Sequence, residues 1–359
     1  MVFWIIKKIF HEQNITFLNL RGLLSFMTSF FLSIMMFPCF IKIFKQLHFS
    51  QIIRQDGPKS HFNKDGTPTM GGTIILSVIV ITVLFWAHLS ICYIWCILLL
   101  LIGYGLIGFI DDYLKIVRRN SQGLIATWKY FWQSIITVII IGIIFWIDHH
   151  QFFREKIMFH NLSHFYSTVE KIIYFFLIYF VLIGSSNAVN LTDGLDGLAI
   201  MPLVLVFSVF ALVAWATSNV TLARYLHLSY LYYSSELVIV CTAIMGAGLG
   251  FLWFNTYPAK IFMGDVGSLP LGGILGIISI FLRKKLLLFI MSGVFIIETI
   301  SVIIQVSWFK LTGKRLFLMA PLHHHYELQG CPEPRIIVRF WIITLIMIII
   351  GISIIAKVP

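Results

Sequence analysis

Two adjacent aspartates, Asp111 and Asp112, directly follow a long run of apolar residues. An ionised aspartate at the centre of a bilayer costs about 2.5 to 3.5 kcal/mol, so we expect the pair at the membrane interface, at the end of a helix. The C-terminus of a helix disfavours negative charge, and two carboxylates there need a compensating cation. In a solvated helix end, the following Lys115, Arg118 and Arg119 supply it. In a catalytic site, a divalent metal ion supplies this positive charge.

Two more acids lie in a turn that contains several glycines. Asp193 and Asp196 belong to the segment NLTDGLDG, residues 190–197. At a spacing of three residues they share one face if the turn is helical, and the glycines let the backbone approach a ligand closely. A simple polar turn between two helices is the alternative, but so short a turn rarely needs two acids.

Asp265 lies in the segment FMGDVGS, just before a helix that we expect to begin near Ser268. An aspartate in this position is also a common helix cap. Phe262 and Asn255 in the same loop offer an aromatic face and an amide, which together can bind a nucleobase by stacking and edge hydrogen bonds. The segment therefore indicates a nucleotide site as well as a cap.

Three consecutive histidines, His323, His324 and His325, lie between Pro321 and Glu327. A tetrahedral zinc site is disfavoured, because neither a His-Glu-x-x-His motif nor a cysteine partner is present. We interpret the histidines as contacts to a pyrophosphate group.

Gly103, Gly105 and Gly108 match the dinucleotide fingerprint G-x-G-x-x-G. They fall inside a predicted membrane helix without a preceding strand, so we interpret them as small residues at helix contacts. No P-loop motif is present, which argues against an ATP-driven pump. Glu298 is the one acid expected deep in the membrane, as a functional or packing residue whose partner the sequence does not identify.

The elements that position these motifs are membrane helices. Of 359 residues, 59% are apolar and 11% are charged, whereas a soluble domain has about 25% charged residues. This excludes a water-soluble globule and suffices for about ten membrane helices of about 20 residues each. We predict an all-α integral membrane protein, one polytopic domain over residues 1–359 with no separate soluble domain. The predicted spans are 23–44, 71–87, 90–110, 128–147, 171–191, 198–217, 236–254, 268–282, 286–308 and 336–356.

With ten spans, the chemically unusual loops all face one compartment. They are 45–70, 111–127, 192–197, 255–267 and 309–335, and together with the adjacent helix ends they carry 15 of the 26 lysines and arginines. The positive-inside rule slightly favours the cytoplasm for this face. The net charge of +11 is scattered over short loops without a long basic run. It therefore indicates anionic lipid or an anionic substrate, and no nucleic acid.

Five ordered motifs closely resemble the phospho-N-acetylmuramoyl-pentapeptide transferases of peptidoglycan synthesis. They are GTPTMGG, GFIDDYLK, NAVNLTDGLDGLA, FMGDVGS and MAPLHHHYELQG, and they span nearly the whole chain. The wider superfamily of polyprenyl-phosphate N-acetylhexosamine-1-phosphate transferases shares the paired Asp and a later Asp. The segment PEPRIIVRFWII after the histidines is similar to the muramoyl-pentapeptide branch, although Cys331 stands where that branch has tryptophan.

The resemblance implies a Mg²⁺-dependent homodimer of ten-helix subunits in the bacterial cytoplasmic membrane, with its active site facing the cytoplasm. This enzyme transfers phospho-MurNAc-pentapeptide from UDP-MurNAc-pentapeptide to undecaprenyl phosphate, giving lipid I and UMP. The resemblance also implies residue roles. These are Asp265 as the Mg²⁺ ligand, Asp111 and Asp112 as the catalytic pair, and His323, His324 and His325 at the pyrophosphate. Lys64, Asn255, Phe262, Asp193 and Asp196 then surround the uridine, with Thr69 and Asn187 in the same cleft.

Two mechanisms and two other functions remain open. The acceptor phosphate has a second pKa near 6 and is mostly dianionic at pH 7. We therefore expect it to attack directly, with Asp111 or Asp112 orienting or deprotonating it. Covalent attack by Asp111 is the alternative. A sister transferase that uses UDP-GlcNAc is the nearest other function. A secondary transporter is more remote, because it needs acids at mid-membrane and only Glu298 qualifies.

Overall fold

The computed structural model describes residues 15–47, 66–118, 123–150 and 168–355. Within these ranges the chain forms thirteen α-helices and no strand. The helices are α1 (Ile15–Gln46), α2 (Gly72–Trp86), α3 (Cys92–Val117), α4 (Ala126–His150), α5 (Thr168–Thr192), α6 (Ile200–Thr217), α7 (Val220–Tyr225), α8 (Ser234–Asn255), α9 (Asp265–Phe281), α10 (Lys285–Met291), α11 (Gly293–Thr312), α12 (Leu322–Leu328) and α13 (Glu333–Ile355).

Eight of the described helices are long and apolar enough to cross a membrane, namely α1, α3, α4, α5, α6, α8, α11 and α13. Two shorter apolar helices, α2 and α9, have 15 and 17 residues. The predicted class, an all-α multi-pass membrane protein, is confirmed. The span predicted at 286–308 is wrong as one helix, because the chain breaks at Ser292 into α10 and α11.

Helix α9 forms the interior of the bundle, where all its residues from Val266 to Phe281 are buried. A helix that is apolar on every side is stable only when other helices surround it. Two glycines let neighbouring backbones reach its first turn. A Cβ atom on Gly72 of α2 would lie 2.2 Å from the nitrogen of Gly267, and one on Gly108 of α3 would lie 2.3 Å from the carbonyl oxygen of Asp265. This close approach brings the ends of α2 and α3 to the start of α9.

The three glycines of the apparent dinucleotide fingerprint serve helix packing, as we interpreted from the sequence. Gly103 faces Ile136 of α4, Gly105 faces Leu76 of α2, and Gly108 faces the backbone of α9. Each glycine lies at a different contact of α3, where the absence of a Cβ atom lets the neighbouring helix approach closely.

A buried ion pair joins α1 to α8. The guanidinium of Arg21 donates to both carboxylate oxygens of Glu236, at 2.9 and 2.6 Å, and also to the carbonyl oxygen of Trp86 at 2.6 Å. The same carboxylate accepts from the backbone nitrogen of His88 at 2.7 Å. The pair has two parallel hydrogen bonds, the strong arrangement for arginine and carboxylate. It holds α1, α8 and the end of α2 together.

Glu236→Gln is expected to destabilise the protein by about 3 to 5 kcal/mol, because the buried charge of Arg21 then faces a neutral amide. Thermal unfolding in detergent measures this as a lower midpoint. Thr242→Val on the same helix is the control, since the Thr242 hydroxyl bonds only to its own helix. An unchanged midpoint in Glu236→Gln would contradict the stabilising role of the pair.

Candidate active site

Three aspartates from two distant parts of the sequence form one cluster. Asp111 and Asp112 lie near the end of α3, and Asp265 is the first residue of α9. One carboxylate oxygen of each lies within 4.8 Å of the others. Asp111 and Asp112 are 3% and 4% exposed. The expected helix start near Ser268 is therefore wrong by one turn, and Asp265 belongs to the helix rather than to the loop before it.

Backbone nitrogens fix one oxygen of each aspartate on α3. Asp111 Oδ1 accepts from Leu124 N at 2.7 Å, and Asp112 Oδ2 accepts from Val266 N at 3.1 Å. Val266 lies in the first turn of α9, where free N–H groups favour a negative charge. The remaining oxygens, Asp111 Oδ2 and Asp112 Oδ1, bind the ammonium group of Lys115.

Two lysines are bound to the cluster. Lys115 Nζ lies 2.6 Å from Asp111 Oδ2, 3.1 Å from Asp112 Oδ1 and 3.3 Å from Asp265 Oδ2. Lys129 of α4 lies 2.5 Å from Asp265 Oδ2. The sequence analysis missed Lys129. The available signal was a lone lysine at the start of an apolar span, on the side that carries the acids.

Asp193 adds a fourth carboxyl group beside the cluster. Its pKa is well above the ordinary value, first because the carboxylate is removed from water and then because of the charges of Asp265 and Asp112. Four carboxylates and two ammonium groups leave a net charge of −2 when all are ionised. This net negative charge favours the binding of a divalent cation that prefers oxygen ligands.

The segment 66–72 packs directly on the loop that carries Phe262. Phe262 N donates to Pro68 O, and Gly71 N donates to Phe262 O, both at 2.8 Å. This pairing buries Thr69 beside Gly264, next to the cluster. Phe262 is half-buried. The structure therefore brings both predicted site residues to the cluster, whereas Lys64 lies outside the described residues.

Asp196 and Asn255 bind the protein's own backbone. Asp196 Oδ2 accepts from Ala259 N at 2.9 Å. Asn255 Oδ1 accepts from Gly197 N, and its Nδ2 donates to Ile261 O, both at 2.8 Å. The two residues are 2% and 4% exposed. They join the turn 193–197 to the loop 255–267, and so hold both chemically unusual segments in one place.

Asn187 of α5 faces α4. Its Nδ2 donates to Gln133 Oε1 at 3.1 Å and to Ile183 O at 2.9 Å. Gln133 lies one helical turn beyond Lys129, so Asn187 fixes the α4–α5 contact that places this lysine.

The three histidines have three different hydrogen-bond partners. Successive residues of a helix point about 100° apart, and all three lie in α12. His323 is buried and its Nδ1 lies 3.2 Å from Glu298 Oε2. His324 Nδ1 lies 2.7 Å from Glu327 Oε2, and His325 Nδ1 accepts from Leu318 N at 3.2 Å. The rings of His323 and His324 lie 4.2 Å apart, so these two histidines are in contact, and the structure identifies His323 as the partner of Glu298.

The fold and the site together define a multi-pass helical membrane protein with an acidic cluster at the ends of its helices. The model of the glycosyl transferase family 4 matches residues 94–283, just over half of the chain. The chain belongs to this family. It is thus a glycosyl-1-phosphate transferase, an enzyme that moves a phospho-sugar onto a polyprenyl phosphate. The matched residues include the aspartate cluster and both lysines, and they end before the histidines.

Proposed function

We propose that the protein transfers phospho-MurNAc-pentapeptide from UDP-MurNAc-pentapeptide to undecaprenyl phosphate and releases UMP. The product is lipid I, and the site faces the cytoplasm of a bacterium. The observation that carries the proposal is the aspartate cluster with its two lysines at the ends of apolar helices. The choice of donor rests on the histidine triplet and the PEPRIIVRFWII segment. A homodimer remains the expected assembly.

The cluster fits Mg²⁺, which takes oxygen ligands from one or two carboxylates and from substrate phosphates. Asp265, Asp111 and Asp112 are the residues that would hold the ion. When bound, Mg²⁺ would neutralise charge on the diphosphate as UMP departs. Lys115 and Lys129 are placed to pair with the phosphate oxygens, because charge-assisted hydrogen bonds to phosphate are strong.

The reaction exchanges one phosphoanhydride bond for another. An oxygen of the acceptor phosphate attacks the phosphorus next to the sugar, and the bond from that phosphorus to UMP breaks. Asp111 Oδ2 and Asp112 Oδ1 are the oxygens directed into the cluster, since backbone N–H groups hold the other two. We propose that they orient or deprotonate the acceptor phosphate. Trapping of a phospho-aspartyl enzyme with donor alone would instead support covalent attack.

An apolar groove leads along the bundle to this cluster. It lies between α2 and α3, has a volume of about 500 Å³ and reaches Val266, whose backbone nitrogen binds Asp112. Its walls include Leu106 and Phe109, which are 57% and 41% exposed. A lipid whose phosphate reaches the cluster can keep its hydrocarbon chain in this groove. We propose that the polyprenyl chain of the acceptor binds there.

Ser77→Trp is expected to fill the groove, because Ser77 is exposed and lines it. We expect kcat/KM for undecaprenyl phosphate to fall about tenfold, equivalent to about two lost buried methylenes. KM for the nucleotide donor and the rate with a geranyl phosphate acceptor stay unchanged. Leu84→Trp, two helical turns beyond Ser77 on α2 and outside the groove, is the control. Equal losses with both acceptors would contradict this binding site.

A donor assay tests the proposed function. Detergent-purified protein is incubated with undecaprenyl phosphate and either UDP-MurNAc-pentapeptide or UDP-GlcNAc, with and without Mg²⁺, and UMP release is measured. We expect UMP only from the first donor and only with Mg²⁺, together with a lipid product of the mass of lipid I. Release only from UDP-GlcNAc would assign the protein to the sister activity.

A further inference from the structure

Glu298 and His323 form a pair that is completely enclosed by protein. They are 0% and 1% exposed, and Glu298 lies within the membrane-spanning helix α11. His323 Nδ1 lies 3.2 Å from Glu298 Oε2. An ionisable group inside a membrane protein is costly and generally has a function. We therefore expect this pair to have a functional role.

The pair determines which way the imidazole is held. When Glu298 is ionised, its carboxylate only accepts hydrogen bonds, and Nδ1 is then the donor of this contact. Within the part of the chain that the structure describes, the two outer atoms of the pair, His323 Nε2 and Glu298 Oε1, are buried without a hydrogen-bond partner. Among these residues, the hydrogen bond to Glu298 is thus the one polar contact that orients the ring.

The other edge of the ring packs on the turn that carries Asp193. A Cβ atom on Gly194 would lie 2.2 Å from His323 Nε2 and 2.9 Å from Cε1. Only a glycine admits the imidazole at this distance. The ring therefore supports the backbone directly beside Asp193.

We propose that Glu298 is a positioning residue. It holds the His323 ring against Gly194, and the ring fixes the turn that carries Asp193. These contacts connect Glu298, which lies inside the membrane, to the turn that is expected to bind the nucleotide donor. This inference rests on the proposed function, in which Asp193 lies at the nucleotide donor.

A double-mutant cycle tests this coupling. Glu298→Leu removes the acceptor of the Nδ1 hydrogen bond, and Gly194→Ala adds a methyl group at the opposite edge of the ring. We expect each to raise KM for the donor about tenfold, the typical effect of losing an orienting partner. KM for the lipid acceptor stays unchanged. Because both act on one ring, we expect the double variant to lose about tenfold rather than about a hundredfold.

Glu298→Gln is the conservative variant, since its amide oxygen can still accept from Nδ1. We expect it to stay within about threefold of wild type, because an orienting contact is retained. Thr299→Val, next to Glu298 on α11, is the control with no expected effect, since its hydroxyl bonds only to its own helix. Thermal unfolding midpoints show whether each variant is folded.

Three results would overturn the proposal. They are a normal donor KM in Gly194→Ala, multiplicative effects in the double variant, and equal losses in Glu298→Gln and Glu298→Leu. The Gly194→Ala result decides the case even if Glu298→Leu does not fold. The cycle is run with whichever donor the wild type uses. Turnover of UDP-GlcNAc alone would therefore reject the proposed function and still leave the positioning role measurable.

Discussion

Asp265→Asn is expected to abolish turnover while the protein keeps its fold. The carboxylate contacts both Lys115 and Lys129 and completes the aspartate cluster. Asparagine has nearly the same shape and is also a good residue at a helix N-terminus, so α9 still begins at this position. The variant lacks the charge that a divalent cation needs. Changes to residues around a metal's ligands cost about 10- to 100-fold, so loss of a ligand's charge is expected to cost more.

UMP release at saturating substrates measures this effect over a range of Mg²⁺ concentrations. Glu236→Gln is the matched control, because it makes the same chemical change in the buried pair with Arg21, away from the cluster. We expect opposite results, with activity lost and stability kept in Asp265→Asn, and stability lost and activity kept in Glu236→Gln. Near-normal turnover in Asp265→Asn would refute Asp265 as a Mg²⁺ ligand.

Gly264→Ala is expected to cause the second largest loss of activity. Gly264 precedes α9 with a φ of 74°, a conformation that costs other residues about 1 to 3 kcal/mol. A Cβ atom there would lie 2.4 Å from Asp112 Oδ2. The methyl group therefore displaces the carboxylate from Val266 N. We expect kcat to fall at least about 100-fold, comparable to losing a preorganised hydrogen-bond donor at a catalytic site.

Gly313→Ala separates backbone strain from this displacement. Gly313 also has a positive φ, 68°, but a Cβ atom there would have nothing within 4 Å. Gly313 has a ψ of 3° and Gly264 one of 173°, and the second combination is essentially restricted to glycine, so we expect a smaller decrease in the unfolding midpoint and an unchanged kcat for Gly313→Ala. If both alanine variants lose activity in parallel, strain alone explains the effect, and the contact with Asp112 has no catalytic importance.

Much of the site was predictable because membrane burial restricts where charge can lie. Asp111, Asp112, Asp193 and Asp265 were all expected at or beyond the ends of apolar spans, and the structure has them there. The glycines of α3 were correctly interpreted as packing residues, since a dinucleotide site needs a strand that the sequence lacks. These conclusions follow from local chemistry and hydropathy alone.

Side-chain partners were less predictable, because they depend on how helices far apart in sequence meet. The histidines were interpreted as one group of pyrophosphate contacts, and the structure adds that His323 pairs with Glu298 and His324 with Glu327. Asn255 was expected at a nucleobase, and its amide instead joins two loops of the protein. Lys129 had no motif to identify it.

The sequence by itself determined the membrane class, the family resemblance and the candidate catalytic acids, because hydropathy and residue type are local properties. Only the tertiary structure decided that Asp265 begins α9 and meets Asp111 and Asp112. That contact depends on close helix approach at Gly72 and Gly108, where a single Cβ atom would separate the backbones. The aspartates are scarce charges in an apolar chain, and helix packing makes them one site.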